Sequence, residues 1–128
     1  MREGGLAIVS HVGFADPAVI EIIVLAGFDG AFIDMEHSVF DMQTVEEMIR
    51  VADLSGITPI ARVPENNPKT ILRVLEMGTQ GIQVPHIEGV EGAKRAVAAI
   101  RYPAIGERGG AGSTRTAGCG SVSWAEHM

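Results

Sequence analysis

Two apolar segments of the sequence end in residues that can bind protons or anions. Ala31-Phe32-Ile33 is followed directly by Asp34-Met35-Glu36-His37, and a second apolar segment ends in Ala61-Arg62-Val63-Pro64. Both segments have the composition of buried strands. Enzymes built from alternating strands and helices place their chemistry at the carboxyl ends of such strands. The pattern therefore predicts half of an active site, with two acids and an imidazole from one strand and a guanidinium from the other.

His37 is the candidate general base or water-holding group of this site. A neighbouring carboxylate would orient its ring and raise its basicity. Asp34 is the better candidate for that role because it ends the strand and is fixed by the sheet, whereas Glu36 could equally be a solvated acid. The alternative is that His37 is a surface residue in a solvated turn.

Arg62 is the candidate anion-binding residue. Its neighbours Ile60, Ala61 and Val63 are apolar, and a guanidinium in a buried setting needs a carboxylate or a ligand as partner. Arg62 would bind a carboxylate, or an oxyanion that develops on a carbonyl group. The alternative is a structural ion pair with Asp34 or Glu36, which is compatible with the anion-binding role while ligand is absent.

Other polar residues give weaker signals. His11 follows the first predicted strand, and His86 and Glu88 follow the fourth; for these residues an exposed turn is the favoured interpretation. No HxH, HExxH or CxxC spacing is present, so the sequence signals do not assemble a complete metal site. The stretch 106–112 is rich in glycine but lacks the GxxxxGK[ST] pattern of a phosphate-binding loop.

Composition limits the class of protein and its partners. The chain has 128 residues, 46% of them hydrophobic and 20% charged, which is typical of a globular protein with one core. A net charge of −6 argues against nucleic acid or an anionic membrane as the main partner. The single cysteine, Cys119, fits a reducing compartment. Since the sequence also shows no apolar signal region at residues 1–5 and no membrane-spanning stretch, we expect a cytoplasmic protein.

The order of elements predicts an α/β protein with a parallel sheet. Three of the four predicted helices end at a glycine, namely Gly27, Gly56 and Gly78. The predicted strands are Leu6–Ser10, Ala31–Asp34, Thr58–Val63 and Gly81–Val84. The predicted helices begin at Asp16-Pro17, at a capping box of Thr44 and Glu47, at Asn67-Pro68 and at Val90, the last ending near Ile100; their expected inward residues are Val19, Ile20, Ile23, Val24, Val45, Met48, Ile49, Ala52, Ile71, Leu72, Leu75, Ala93, Val97 and Ile100.

We expect residues 1–128 to form a single partial domain. Four βα units occupy about residues 6–100, and a segment rich in Gly, Ser and Thr, residues 101–128, follows as a loop with no clear element. Four βα units can form a small open sheet or half of a (β/α)₈ barrel, and a complete barrel needs about 250 residues.

Several motifs together resemble one known family. They are Gly27-Phe28-Asp29, Ile33-Asp34-Met35-Glu36-His37, Ala61-Arg62-Val63-Pro64, Gly78-Thr79-Gln80-Gly81-Ile82-Gln83-Val84-Pro85, and Arg101-Tyr102-Pro103 with Gly106 and Arg108-Gly109. In register over essentially the whole chain, they resemble the HpcH/HpaI aldolase family, which includes the 4-hydroxy-2-oxoheptanedioate and 2-keto-3-deoxy-sugar-acid aldolases. The combination of D-x-E-H, A-R-V-P and R-Y-P is far more specific than any single motif.

This resemblance implies the amino-terminal half of a TIM (β/α)₈ barrel and a class II aldolase. Such an enzyme uses a divalent metal (Mg, Mn or Co) to split a 4-hydroxy-2-oxo acid reversibly into pyruvate and an aldehyde. His37 with Asp34 would be the acid–base pair, acting through a water. Arg62 would hold the pyruvate carboxylate and carbonyl oxygen and stabilise the enolate, whose charge the metal would share.

The resemblance places the metal ligands, a Glu and an Asp, beyond Met128, so no metal ligand is expected in this chain. We therefore expect a truncated chain or fragment that does not bind the metal or catalyse efficient aldol cleavage alone. A small 2-oxo acid as substrate and a homo-oligomer are the expected partners. Two alternatives remain, a non-catalytic half-barrel that oligomerises through its open edges and a small α/β module that binds an anion through Arg62.

Overall fold

Strands and helices alternate along the chain as the sequence predicts. The computed structural model describes residues 5–128, and the predicted features of residues 1–4 lie outside the described residues. The elements are β1 (Val9–Val12), α1 (Ala18–Leu25), β2 (Gly30–Asp34), α2 (Met42–Leu54), β3 (Thr58–Arg62), α3 (Pro68–Glu76), β4 (Gly81–Gln83), α4 (Gly89–Ile100), a 3₁₀ turn (Gly118–Gly120) and α5 (Trp124–His127). None of the helices within residues 5–128 is long and apolar enough to cross a membrane.

The four strands form one parallel sheet in the order β1-β2-β3-β4. Each strand is joined to its neighbour by a helix, which is the connection that parallel strands require. The predicted α/β class with a parallel sheet is confirmed. Gly27, Gly56 and Gly78, the predicted helix stops, all adopt a positive φ, a conformation that glycine enters without strain.

One face of the sheet carries the hydrophobic core. Val12, Ile33 and Ala61 are paired across the three strands and are fully buried. The helices cover this face with the fully buried side chains Ile20, Val45, Met48, Ile49, Ile71 and Val74. Because side chains alternate along a strand, the residues between the core positions, including His11 and Phe32, lie on the opposite face. Asp34 of β2 is paired with Arg62 of β3. Both lie on the second face, because Asp34 is two residues after Phe32 and Arg62 is two residues after Ile60, the partner of Phe32.

The first strand begins later than predicted. Leu6 to Ile8 precede β1, and the strand extends to Val12 instead of ending at Ser10. Just before the strand, the Ile8 amide donates to the Asp29 carboxylate at 2.8 Å, and the Ile8 carbonyl accepts from the Asp29 amide at 2.8 Å. Pairing with β2 therefore determines where β1 begins and ends, and the prediction from apolar composition alone placed both ends too early. The other three strands match their predicted bounds within one residue at each end.

The predicted capping box of α2 is wrong. Asp41 is the N-cap, and its carboxylate accepts from the Thr44 amide at 2.7 Å, so Thr44 lies inside the helix. Asp41, three residues upstream, accepts the N-cap hydrogen bond from the Thr44 amide, whereas the prediction had the Thr44 hydroxyl accepting such a bond from a later amide. The N-cap of α3 is the predicted one, because the Asn67 side chain accepts from the amides of Lys69 and Thr70.

Helix α4 packs through a different face from the one predicted. Its buried residues are Gly92, Ala96 and Ala99, whereas the predicted inward residue Val97 is exposed. The small residues bring α4 close to its neighbours, and the Asn66 side chain donates to the Gly92 carbonyl at 3.0 Å. Ala93, a second predicted inward residue, is also exposed, whereas the third, Ile100, is partly buried and packs against the core. In α3 Val74 is buried, and the predicted inward residue Leu72 is only partly buried.

The segment 101–128 packs against the carboxyl ends of α2 and α3. Arg108 donates to Glu76 at 2.8 Å and lies 4.5 Å from the centre of the Tyr102 ring. Further along, Arg115 forms an ion pair with Asp53, and the Thr116 hydroxyl donates to the Leu75 carbonyl. These contacts hold the segment over the helices, away from the carboxyl ends of the strands.

Replacing Ile20 by Ala tests the position of the core. Ile20 is 0% exposed in α1, whereas Ile22 of the same helix is 64% exposed. We expect Ile20→Ala to lower the free energy of unfolding by about 2–4 kcal/mol because it leaves a cavity. Ile22→Ala is the matched control and should change it by less than about 0.5 kcal/mol. Urea unfolding measures both values, and equal losses would contradict this assignment of the buried face.

Candidate active site

Ionisable side chains from the ends of all four strands meet on the uncovered face of the sheet. Asp34 and Arg62 are the last residues of β2 and β3, and Glu36 and His37 follow β2 directly. His11 comes from β1, and His86 follows β4. We name this group the carboxyl-end cluster; it consists of His11, Asp34, Glu36, His37, Arg62 and His86.

Asp34 is the buried centre of the carboxyl-end cluster. Its carboxylate is 1% exposed and has five donors. Arg62 binds it with two nitrogens, Nε to Oδ1 at 2.8 Å and Nη2 to Oδ2 at 2.5 Å. His11 Nε2 lies 3.0 Å from Oδ2, and the amides of Glu36 and His37 donate to Oδ1 at 3.0 and 3.3 Å. Because a buried charge is stable only when it is paired and hydrogen-bonded, these donors account for a carboxylate at this depth.

The same contacts fix the ionisation of Asp34. Its hydrogen bonds with the Arg62 guanidinium hold the pKa of the Asp34 carboxyl far below its usual range. Burial opposes this shift, and the hydrogen bonds from the Glu36 amide, the His11 ring and the His37 amide add to it. An ionised carboxylate only accepts hydrogen bonds, so Nε2 of His11 is the donor in its contact with Asp34. Asp34 therefore acts as a fixed anion that orients its neighbours.

Glu36 is a second carboxylate that joins three basic groups. Its side chain is 10% exposed. One oxygen, Oε2, lies 3.2 Å from Arg62 Nε and 3.8 Å from His37 Nε2, and the other, Oε1, lies 2.9 Å from His86 Nε2. His37 and His86 are themselves largely exposed, so Glu36 contacts two solvent-accessible imidazoles while its own side chain is only slightly exposed. This is a geometry in which a carboxylate can orient an imidazole for proton transfer.

Arg62 lies between the two carboxylates. Its pKa is raised, chiefly by the hydrogen bonds to Asp34, so the guanidinium stays charged at every relevant pH. The hydrogen bonds of Arg62 within residues 5–128 use Nε and Nη2, and Nη1 donates none. The guanidinium carbon lies 5.7 Å from the centre of the Phe32 ring, which forms the floor beneath it. The side chain is partly exposed, so a ligand can reach the Nη1 edge.

His37 and Arg62 lie at the same end of the sheet, because one carboxylate, that of Glu36, approaches both of them. The expected contact between Asp34 and the His37 ring is not found in the described structure. Asp34 contacts the His37 backbone amide, while its side-chain partners are Arg62 and His11. The physical reason is geometric. His37 lies three residues after the strand end, where the turn brings its amide back to Asp34 and leaves its ring in solvent.

The structure brings in two histidines that the sequence interpretation assigned to exposed turns. His11 contacts Asp34 and lies 5.7 Å from the Phe32 ring, and His86 contacts Glu36. His11 was not predicted to belong to the site because the predicted first strand ended at Ser10, which placed His11 in a loop. An alignment of β1 with β2 would have revealed it, since His11 pairs with Phe32, two residues before Asp34. No comparable signal identifies His86, whose backbone has a positive φ of 49°.

The carboxyl-end cluster can therefore bind an anion and move protons. Arg62 supplies a permanent positive charge, and the exposed imidazoles supply ring nitrogens that can accept or donate a proton. Within residues 5–128, no three His, Cys, Asp or Glu side chains gather in an arrangement that could hold a metal ion. The one cysteine, Cys119, is exposed and free, and it belongs to the segment that packs on the helices.

The low pKa of Asp34 predicts how stability depends on pH. A carboxyl whose pKa is lower in the folded state stabilises that state fully above its unfolded pKa of about 4, and loses this effect as pH falls below it. We expect the difference in unfolding free energy between wild type and Asp34→Asn to be constant from about pH 5 to pH 7 and to shrink below about pH 4.

Urea unfolding across this pH range measures the difference between the two proteins. A direct check that needs no variant is the side-chain carboxyl carbon shift of Asp34 by NMR, which should show no titration near pH 4. A normal titration of Asp34 there, or a difference that stays constant down to about pH 2, would contradict the ion pair.

Comparison with known sequences identifies the relatives of the chain. A profile of the HpcH/HpaI aldolase/citrate lyase family matches residues 8–118. The chain is 38% identical over 122 residues to the pyruvate aldolase of Rhizobium etli, and the match covers 95% of this chain and 48% of that protein. It is 39% identical over 108 residues to the 5-keto-4-deoxy-D-glucarate aldolase of Salmonella paratyphi A, covering 84% and 42% of the two chains. The chain thus spans about half the length of the curated relatives it matches.

Solved structures give the same result for the fold. The HpcH/HpaI aldolase from Desulfitobacterium hafniense superposes with a TM-score of 0.85 at 27% identity, covering 94% of this chain and 46% of that one. A family protein from Burkholderia cenocepacia superposes with a TM-score of 0.84 at 30% identity, covering 90% and 47%. These neighbours are TIM-barrel proteins, so the prediction of the amino-terminal half of such a barrel is confirmed. The chain belongs to the HpcH/HpaI aldolase/citrate lyase family, as its D-x-E-H, A-R-V-P and R-Y-P motifs indicate.

Proposed function

We propose that the chain carries the pyruvate-binding half of a divalent-metal-dependent aldolase, a carbon–carbon lyase. The reaction would be the reversible cleavage of a 4-hydroxy-2-oxo acid into pyruvate and an aldehyde. The observation that carries this proposal is Arg62, which Asp34 holds at the carboxyl edge of the sheet and whose Nη1 makes no hydrogen bond within residues 5–128. A fixed guanidinium with an open edge is suited to bind the carboxylate of a 2-oxo acid.

The names of the relatives support a 2-oxo acid as the ligand class. One relative is named for pyruvate, another for hydroxypyruvate and pyruvate, and a third for a keto-deoxy sugar acid. All three compounds carry a carbonyl group and a carboxylate. In the carboxyl-end cluster, the Arg62 guanidinium could bind both the carbonyl and the carboxylate, and the imidazoles beside it could transfer protons.

The chemistry that we assign to the chain's own residues has two parts. In cleavage, His37 would take the proton from the C4 hydroxyl, through a water, as the C3–C4 bond breaks and its electron pair moves towards the 2-oxo oxygen. Arg62 would stabilise the negative charge that develops on that oxygen. Return of a proton to C3 then gives pyruvate. Asp34 would hold Arg62 in place and fix the turn that carries His37 through the amide of that residue.

The divalent metal implied by family membership does not fit the described residues. Within residues 5–128 the acids of the carboxyl-end cluster are occupied by Arg62, His11 and His86, and no group of three suitable ligands forms. We therefore derive no step through a metal.

Binding of oxalate, an analogue of the pyruvate enolate, tests the role of Arg62. We expect oxalate to shift the NMR signals of Arg62 and its neighbours in the 128-residue chain. Arg62→Ala should weaken this binding by about tenfold or more, since it removes a charged donor pair. His37→Ala should leave the affinity within about twofold, because the proposed role of His37 is proton transfer and not binding.

Two controls make the oxalate test specific. Arg62→Lys keeps the charge but loses the planar pair of donors, so its affinity should lie between wild type and Arg62→Ala. Pyruvate should bind more tightly than propionate, which has the carboxylate but lacks the 2-oxo group. Equal affinity for pyruvate and propionate would favour a general anion-binding module. No binding by wild type, or equal losses in Arg62→Ala and His37→Ala, would contradict the proposal.

A further inference from the structure

The reaction proposed above moves two protons, and they belong to two different atoms. In cleavage His37 takes the proton of the C4 hydroxyl, and C3 must then gain a proton from a second group. C3 is one bond away from the carbonyl carbon of the 2-oxo acid. The group that supplies its proton must therefore stand beside Arg62, the residue to which we assign the carbonyl oxygen.

His11 of β1 stands beside Arg62. Its Nε2 lies 3.0 Å from Asp34 Oδ2, the same oxygen that accepts from Arg62 Nη2 at 2.5 Å. The centre of the His11 ring lies 5.7 Å from that of Phe32, and the guanidinium carbon lies at the same distance from that ring. One carboxylate oxygen and one aromatic ring thus hold the imidazole and the guanidinium side by side.

His11 and His37 contact different carboxylates. His37 Nε2 lies 3.8 Å from Glu36 Oε2, an oxygen that is 3.2 Å from Arg62 Nε. His11 is bound instead to the Asp34 oxygen that accepts from Nη2. The two imidazoles therefore approach the guanidinium beside different nitrogens. This separation suits a reaction that transfers protons at two atoms of one substrate.

Asp34 determines which nitrogen of His11 exchanges a proton. The pKa of the Asp34 carboxyl is held far below its usual range by the Arg62 guanidinium, so the carboxylate is ionised and accepts from His11 Nε2. In a neutral imidazole that carries its hydrogen on Nε2, the basic nitrogen is Nδ1. A carboxylate that orients an imidazole in this way is an arrangement used for general acid–base catalysis.

We propose that His11 transfers the proton of C3, an assignment that rests on the function proposed above. In cleavage the imidazolium gives its Nδ1 proton to C3 of the enolate. The electron pair of the C2–C3 double bond forms the new C–H bond, the C2–O bond becomes a carbonyl, and the electron pair of the N–H bond stays on Nδ1. The products are pyruvate and neutral His11. Solvent then takes the proton held by His37 and returns one to His11.

Deuterium exchange of the pyruvate methyl group isolates this step, because pyruvate has no C4 hydroxyl. Proton NMR in D₂O follows the loss of the methyl signal at a fixed concentration of the 128-residue chain. We expect wild type to exchange faster than buffer and His11→Gln to lower this rate by at least about tenfold. Glutamine keeps an N–H donor for Asp34, so a merely structural role of His11 predicts no loss. His127→Gln is the matched control and should leave the rate unchanged, because His127 contacts Tyr102, outside the carboxyl-end cluster.

Oxalate binding, measured on the same samples, separates this proposal from the one on which it rests. Three results would overturn the role of His11 while oxalate still binds: wild-type exchange no faster than buffer, a wild-type rate in His11→Gln, or loss of exchange in His37→Gln but not in His11→Gln. Absence of oxalate binding by wild type would overturn both proposals.

A second measurement needs no variant. With an isotope-labelled chain and unlabelled pyruvate, isotope-filtered NMR detects contacts between the bound acid and the protein. The methyl protons of pyruvate should contact Hε1 of the His11 ring, which is next to Nδ1. Contacts with the His37 ring and none with the His11 ring would overturn the proposal.

Discussion

A carboxylate that is 1% exposed must find compensation inside the protein, and in this chain that requirement organises the carboxyl end of the sheet. Asp34 obtains it from Arg62, which comes from the neighbouring strand, and from the amides of the turn that follows its own strand. One ion pair thus joins the ends of β2 and β3, shapes the turn that carries Glu36 and His37, and fixes the guanidinium that binds an anion in our proposal.

The rest of the fold brings the carboxyl ends of the four strands together, where the ion pair lies. Parallel strands joined by helices bring every carboxyl end to one edge of the sheet, so residues distant in sequence become neighbours. The helices bury one face, and the charged cluster lies at the edge of the other. Within residues 5–128 the helices cover the other face of the sheet, so the charged cluster stays accessible from this side.

The sequence predicted the order of the elements well because its helix stops and strand ends carry strong local signals. Asp34 and Arg62 could be placed at one end of the sheet because parallel pairing follows from the alternation of strands and helices. The role of His11 could not be foreseen, since it depends on the register of β1, which pairing with β2 determines. The ring partners of Asp34 were misjudged for a similar reason, because the turn after β2 directs an amide rather than an imidazole towards it. The buried face of α4 consists of Gly92, Ala96 and Ala99, and apolar periodicity does not single out such small residues.

The most direct test of this account is a double-mutant cycle on the ion pair between Asp34 and Arg62. The unfolding free energies of wild type, Asp34→Asn, Arg62→Gln and the double variant would be measured by urea denaturation at neutral pH. The account predicts that the double variant loses less stability than the sum of the single variants, because each single change leaves one charged group without its partner. Losses that add within experimental error would show that the two residues do not act as a pair, and would contradict the account.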